Sequence, residues 1–204
     1  MRSPEGLDLD LLVPWLGARD LIDPARDVQA IRLTGGLSNV TFLVSQGEQQ
    51  VVVRRPPLGH VMPTAHDMGR EFQVISGVTR GGFPAPRALA YCDDDTVIGA
   101  RFLVMEYVEG RIISSDAAAA DLTVEDAGAL SAELVDVLTD LHAIDATEVG
   151  LAELGRPGGF LGRQVARWSK QWQLSKTRDL PPIDELLTWL DSRVAGLPQD
   201  LPWS

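Results

Sequence analysis

Two periods of apolar spacing divide the chain. Between Val28 and Arg55 the runs VQAIRL, NVTFLVS and QVVVRR are short, rich in β-branched residues and partly alternating. They are bounded by TGGLS (34–38) and QGEQ (46–49), which predicts three strands in an antiparallel meander. Ahead of them, LDLDLLVPWLGARDLI (7–22) has the spacing of a short amphipathic helix, interrupted or begun at Pro14. After them, Pro56, Pro57 and Gly59 end the third strand. Thr64, with Asp67 three residues on, has the spacing of a capping box and predicts a helix start. Met68, Phe72, Ile75 and Val78 keep a helical spacing until Gly81-Gly82. RALAYC (87–92) and ARFLVMEYV (100–108) predict two more strands across the acidic, solvated turn Asp93–Asp95. Past Gly110 only helical periods remain. A run capped by Thr123 carries Ala127, Leu130, Leu134, Leu138 and Leu141, and further amphipathic helices cover 159–175 and 183–195.

The first half thus reads helix, three strands, helix, two strands, and the second half reads helical throughout. That order predicts an α+β fold with a boundary at Val108–Ser115. At 204 residues the chain has room for one domain or two small ones. Its 45% apolar and 23% charged residues argue against disorder. No apolar run reaches about 18 residues, so no membrane span is expected. The amino terminus lacks the apolar region of a secretory signal, and Cys92 is the only cysteine, which makes the cytoplasm the expected location. The net charge of −11 disfavours a nucleic-acid partner. Its distribution is uneven: residues after Tyr107 carry −8 of it. Lys170 and Lys176 are the only lysines, so any cation needed in the first half must be an arginine.

Three features carry candidate chemistry. In Thr34-Gly35-Gly36-Leu37-Ser38-Asn39 the paired glycines would let backbone N–H groups approach a phosphate, with Ser38 as a hydroxyl donor. An ordinary hairpin turn explains the same residues. Arg54 shares a strand face with Val52 by alternation, although two consecutive arginines at a strand end are commonly solvated. Glu71 lies three residues after Met68 and four before Ile75, on the apolar stripe of its helix. A carboxylate aimed at a core needs a partner, and Arg54 is the natural one. The alternative is an exposed salt bridge at the stripe's edge. The last strand, FLVMEYVEG (102–110), runs straight into the boundary segment, where its backbone groups could read an adenine edge.

TGGLSNVTF (34–42), VVVRRPP (51–57), AHDMGREF (65–72), FLVMEYVEGR (102–111), LTDLHAID (138–145) and GRQVARWSKQW (162–172), in this order, resemble the aminoglycoside phosphotransferases and related small-molecule kinases of the protein-kinase-like fold. The match is strongest to the branch associated with acyl-CoA dehydrogenases, and it spans about 28–195. The resemblance implies an amino-terminal lobe over 1–107, a five-stranded antiparallel sheet with one packed helix. A linker over 108–115 and an incomplete helical carboxy-terminal lobe over 116–204 would follow. It further implies that Gly35, Gly36 and Ser38 line a phosphate loop and that Arg54 contacts the α- and β-phosphates with Glu71 as its partner. The Glu106 carbonyl and Val108 amide would hold adenine beside Val52, with Met105 at the rear of the pocket. The cofactor would be ATP, or GTP, with magnesium in a full-length member, and the acceptor a small-molecule hydroxyl.

The catalytic pattern H-G-D-x-x-x-x-N is absent: none of His60, His66 and His142 precedes Gly-Asp. His142-Ala143-Ile144-Asp145 is a decoy at a helix end, with Gly150 at the position of the metal-binding Asn. The expectation is therefore a truncated, catalytically silent form with no metal ligands and an uncovered apolar surface open to self-association. The other reading is a non-catalytic nucleotide-binding or interaction domain. His60, His66 and Asp67 are explained by a loop and a helix start rather than a metal site, and Trp168 and Trp172 as core contacts of their helix.

Overall fold

In the computed structural model, residues 3–33, 39–58, 66–155 and 158–197 are described. Helix α1 spans Leu9–Gly17 and is capped by Asp8, whose carboxylate accepts from the Asp10 and Leu11 amides. It runs through Pro14 without a break, because burial of Leu9, Leu12, Val13 and Leu16 offsets the missing backbone donor. Strands β1 (Gln29–Leu33), β2 (Val40–Gln46) and β3 (Gln49–Arg55) form the meander, and the β2–β3 turn uses Gly47 at a positive φ. Helix α2 (Met68–Arg80) is followed by β4 (Ala88–Cys92) and β5 (Phe102–Glu106). The five strands make one antiparallel sheet in the order β1-β2-β3-β5-β4.

The register separates the two faces of this sheet. Phe42, Val44, Val51, Val53, Phe102 and Val104 point to one face and form a buried cluster with Leu9, Leu12 and Leu16 of α1. Trp15 meets Phe102 edge-on, with ring centroids 4.8 Å apart. Thr41, Leu43, Val52, Arg54, Leu103 and Met105 occupy the opposite face. Helix α2 lies against β4 and β5, and Phe72 stands 6.0 Å from Tyr91.

Two compact units divide the chain at Leu151 and Ala152. The first also holds α3 (Asp116–Ala119), a single turn capped by Ser115 that has no sequence period to betray it, and α4 (Val124–Ala143). Residues 108–115, where the linker is expected, carry no helix or strand and lie inside this unit. Helix α4 is held at its start by a complete capping box between Thr123 and Asp126. The second unit pairs α5 (Phe160–Ser175) with α6 (Pro181–Val194) through a hydrogen bond from Trp172 Nε1 to Asp184 at 3.1 Å. Trp168 is corrected here: it is 55% exposed beneath Arg167, and so is no core contact. The α2 cap also differs from expectation. Asp67 itself accepts the Arg70 amide hydrogen at 3.0 Å, while Thr64 lies outside the described residues.

Candidate functional site

The Asp67 cap sets where α2 begins and therefore which of its residues face the sheet. Met68 is buried, and Glu71, one turn on, projects toward β3. Alternation along β3 puts Arg54 on the face that α2 covers, opposite Thr41 on β2 and Leu103 on β5. Arg54 Nε and Glu71 Oε1 stand 2.7 Å apart with side chains 34% and 27% exposed. The pair is partly shielded from water, yet it remains open to solvent.

Sequence reasoning gave Asn39 and His66 no role, and the structure brings both to this pair. The Asn39 carboxamide lies 2.6 Å from His66 Nδ1 and 3.3 Å from Glu71 Oε2. Asn39 precedes β2 and His66 precedes the α2 cap, so the contact joins segments 27 residues apart that share no periodic signal. The nearest hint was that AHDMGREF places His66 and Glu71 on either side of one helix start.

On the same sheet face, Val52 and Leu43 are buried, and Val52 sits opposite Met105. Glu106 ends β5; its amide donates to the Arg87 carbonyl at 2.9 Å and its carboxylate accepts from Arg87 Nε at 2.8 Å. That hydrogen bond holds the Glu106 carboxyl below the usual range. Val108 is exposed in the irregular segment that follows. Gly35, Gly36, Ser38 and His60 lie outside the described residues. Asp145 is a turn cap: its carboxylate accepts from the Thr147 and Glu148 amides, which hold its pKa down. Among the described residues no group of three His, Cys, Asp or Glu side chains is placed to hold a metal. None of the described helices is long and apolar enough to cross a membrane.

Arg55, grouped with Arg54 as a solvated pair in the sequence, is a structural residue instead. It is 6% exposed on the α1 face and donates to the carbonyls of Gly6 at 2.6 Å and Ile98 at 2.8 Å.

A five-stranded antiparallel sheet followed by helices, with an arginine–glutamate pair between β3 and the next helix, defines a kinase-like phosphotransferase fold. The sequence profile of the phosphotransferase enzyme family (APH) matches residues 29–203, and the chain belongs to that family. It is 39% identical over 155 residues to acyl-CoA dehydrogenase family member 11 of Rattus norvegicus, covering 76% of this chain and 20% of that protein. The Gallus gallus protein of the same name is 36% identical over 177 residues, with 87% and 22% covered. The chain therefore spans about a fifth of the length of these curated relatives. Among solved structures, a candidate aminoglycoside phosphotransferase from Ralstonia eutropha superposes with a TM-score of 0.69 at 30% identity, covering 91% of this chain and 53% of that one. A choline kinase from Cryptosporidium parvum shares the fold, with a TM-score of 0.52 at 16% identity over 91% of this chain and 50% of its own.

Proposed function

We propose that this chain is the nucleotide-binding part of a phosphotransferase that moves the γ-phosphoryl group of ATP, or GTP, to a small-molecule hydroxyl in the cytoplasm. The observation that carries this reading is the Arg54–Glu71 pair at 2.7 Å on the sheet face opposite the core. Glu71 takes up Nε and orients the fork, so the outer guanidinium edge is presented to the α- and β-phosphates. Gly35, Gly36 and Ser38 supply amide and hydroxyl donors to the same phosphates. Val52, Leu43 and Met105 form an apolar wall for the base, and the Glu106 carbonyl with the Val108 amide reads its edge. The engagement of the Glu106 carboxylate by Arg87 leaves the backbone, not the side chain, for that task.

The 204 residues contain no H-G-D-x-x-x-x-N, so they supply binding and orientation but neither the base nor the metal ligands. By themselves they therefore do not transfer phosphoryl groups. That same absence favours a second reading, a nucleotide-binding or interaction domain without chemistry of its own. The exposed apolar stripe of α4 makes self-association part of either reading. ATP turnover by this chain is to be compared with that of a longer version carrying the catalytic pattern, each with a panel of hydroxylated small molecules. Turnover in the longer version alone is expected. Comparable turnover in the 204-residue form would overturn the assignment of catalysis to the absent pattern, and none in either would favour the second reading.

A further inference from the structure

The carboxamide of Asn39 stands between two groups that make opposite demands on it. One of its polar atoms is 2.6 Å from His66 Nδ1. The other is 3.2 Å from a terminal nitrogen of Arg54, 3.3 Å from Arg54 Nε and 3.3 Å from Glu71 Oε2. With its oxygen toward Arg54, the amide accepts two charge-assisted hydrogen bonds, and its nitrogen donates to an unprotonated Nδ1. With its oxygen toward His66 it accepts from Nδ1–H, and its nitrogen reaches Glu71 but faces two guanidinium donors. The first arrangement gives Arg54 two acceptor contacts but sets the amide oxygen 3.3 Å from Glu71 Oε2. The second gives Glu71 a donor and turns the amide nitrogen toward the guanidinium, so whether Nδ1 accepts or donates selects between them.

We propose that Asn39 and His66 form a protonation-linked positioning pair for Arg54. Unprotonated at Nδ1, His66 keeps the Asn39 oxygen on the guanidinium, which is then held by Glu71 on one side and Asn39 on the other. A proton gained at Nδ1 makes that nitrogen a donor, turns the amide round and takes both acceptor contacts from Arg54. Among the described residues, the charged groups that share the Asn39 carboxamide with His66 are Arg54 from β3 and Glu71 from α2, and Asp67, next in sequence, has its carboxylate engaged with the Arg70 amide. What Arg54 binds rests on the proposed nucleotide site; the coupling of Asn39 to His66 does not.

The test follows the side-chain nitrogen signals of His66, Asn39 and Arg54 by NMR in this chain across the histidine range, roughly pH 5 to 8. The Asn39 NH2 and Arg54 Nε–H signals are expected to move with the midpoint of His66, and to stay still in His66→Gln. In parallel, ATP affinity is measured for both forms at each pH, so that the ratio removes the proton taken up by the nucleotide itself. Relative to His66→Gln, the wild-type affinity should fall roughly threefold or more on acidification, as charge-assisted hydrogen bonds are lost. Signals of Asn39 and Arg54 indifferent to His66 would overturn the pair. Coupled signals with a flat affinity ratio would overturn its role in positioning. Coupled signals with no ATP bound at any pH would support the pair and overturn the nucleotide site.

Discussion

Arg54 and Arg55 are neighbours with opposite fates, because alternation sends one to each face of the sheet. Arg54 meets a carboxylate in a half-open setting, between the exposed ion pairs worth less than about 1 kcal/mol and the buried ones whose rupture costs several. A double-mutant cycle on Arg54→Ala and Glu71→Ala should give a coupling of about 1 kcal/mol, each single change costing more than its share of the double. Coupling near zero in denaturant unfolding would mean that the pair does not hold α2 to β3. Arg55 has no such freedom. Burial pushes its guanidinium pKa down, and its acceptors are the neutral carbonyls of Gly6, Ile98 and Pro56. Arg55→Ala strands those carbonyls and should destabilise the fold by about 2 kcal/mol or more. A urea midpoint close to that of the unmodified chain would contradict the structural role given to it.

At the scale of elements, the apolar period carried most of the information. Each predicted strand and every long helix is present; most ends move by one or two residues, but α1 stops at Gly17, five residues before its apolar pattern ends, and α2 starts three residues after the expected cap position would have it. Asp67 serves as the α2 cap because its own carboxylate reaches the Arg70 amide, a choice that spacing alone could not make between it and Thr64. Helix α3 is one turn long, too short to show a period. The Glu71–Arg54 contact was legible because a charge on an apolar stripe asks for a partner. Asn39 and His66 were not, because a polar contact between two loop residues leaves no trace in hydropathy. Helix α4 shows the reverse case: a clean period that this chain leaves uncovered, with Leu134 at 69% exposure and Val135 at 60%. Its flanks are acidic, so contact between two copies is opposed by like charge. Sedimentation should therefore show association that rises with salt and is abolished by Leu134→Glu with Leu138→Glu. A monomer of 22.1 kDa at every salt concentration would contradict it.

Over the whole molecule, the net charge of −11 works against a nucleotide, so any affinity must come from local groups that outweigh a repulsive field. The sheet offers them on one face only. The α1 face is filled by the core, and the other carries Arg54, Glu71, Val52 and Met105. Because the 204 residues contain no H-G-D-x-x-x-x-N, magnesium should add little to binding. The most direct measurement is calorimetric titration of ATP into this chain and into Arg54→Ala, each with and without magnesium. The account predicts weak binding that is indifferent to magnesium and lost in Arg54→Ala. No binding by the folded chain, or binding that survives Arg54→Ala unchanged, would contradict it.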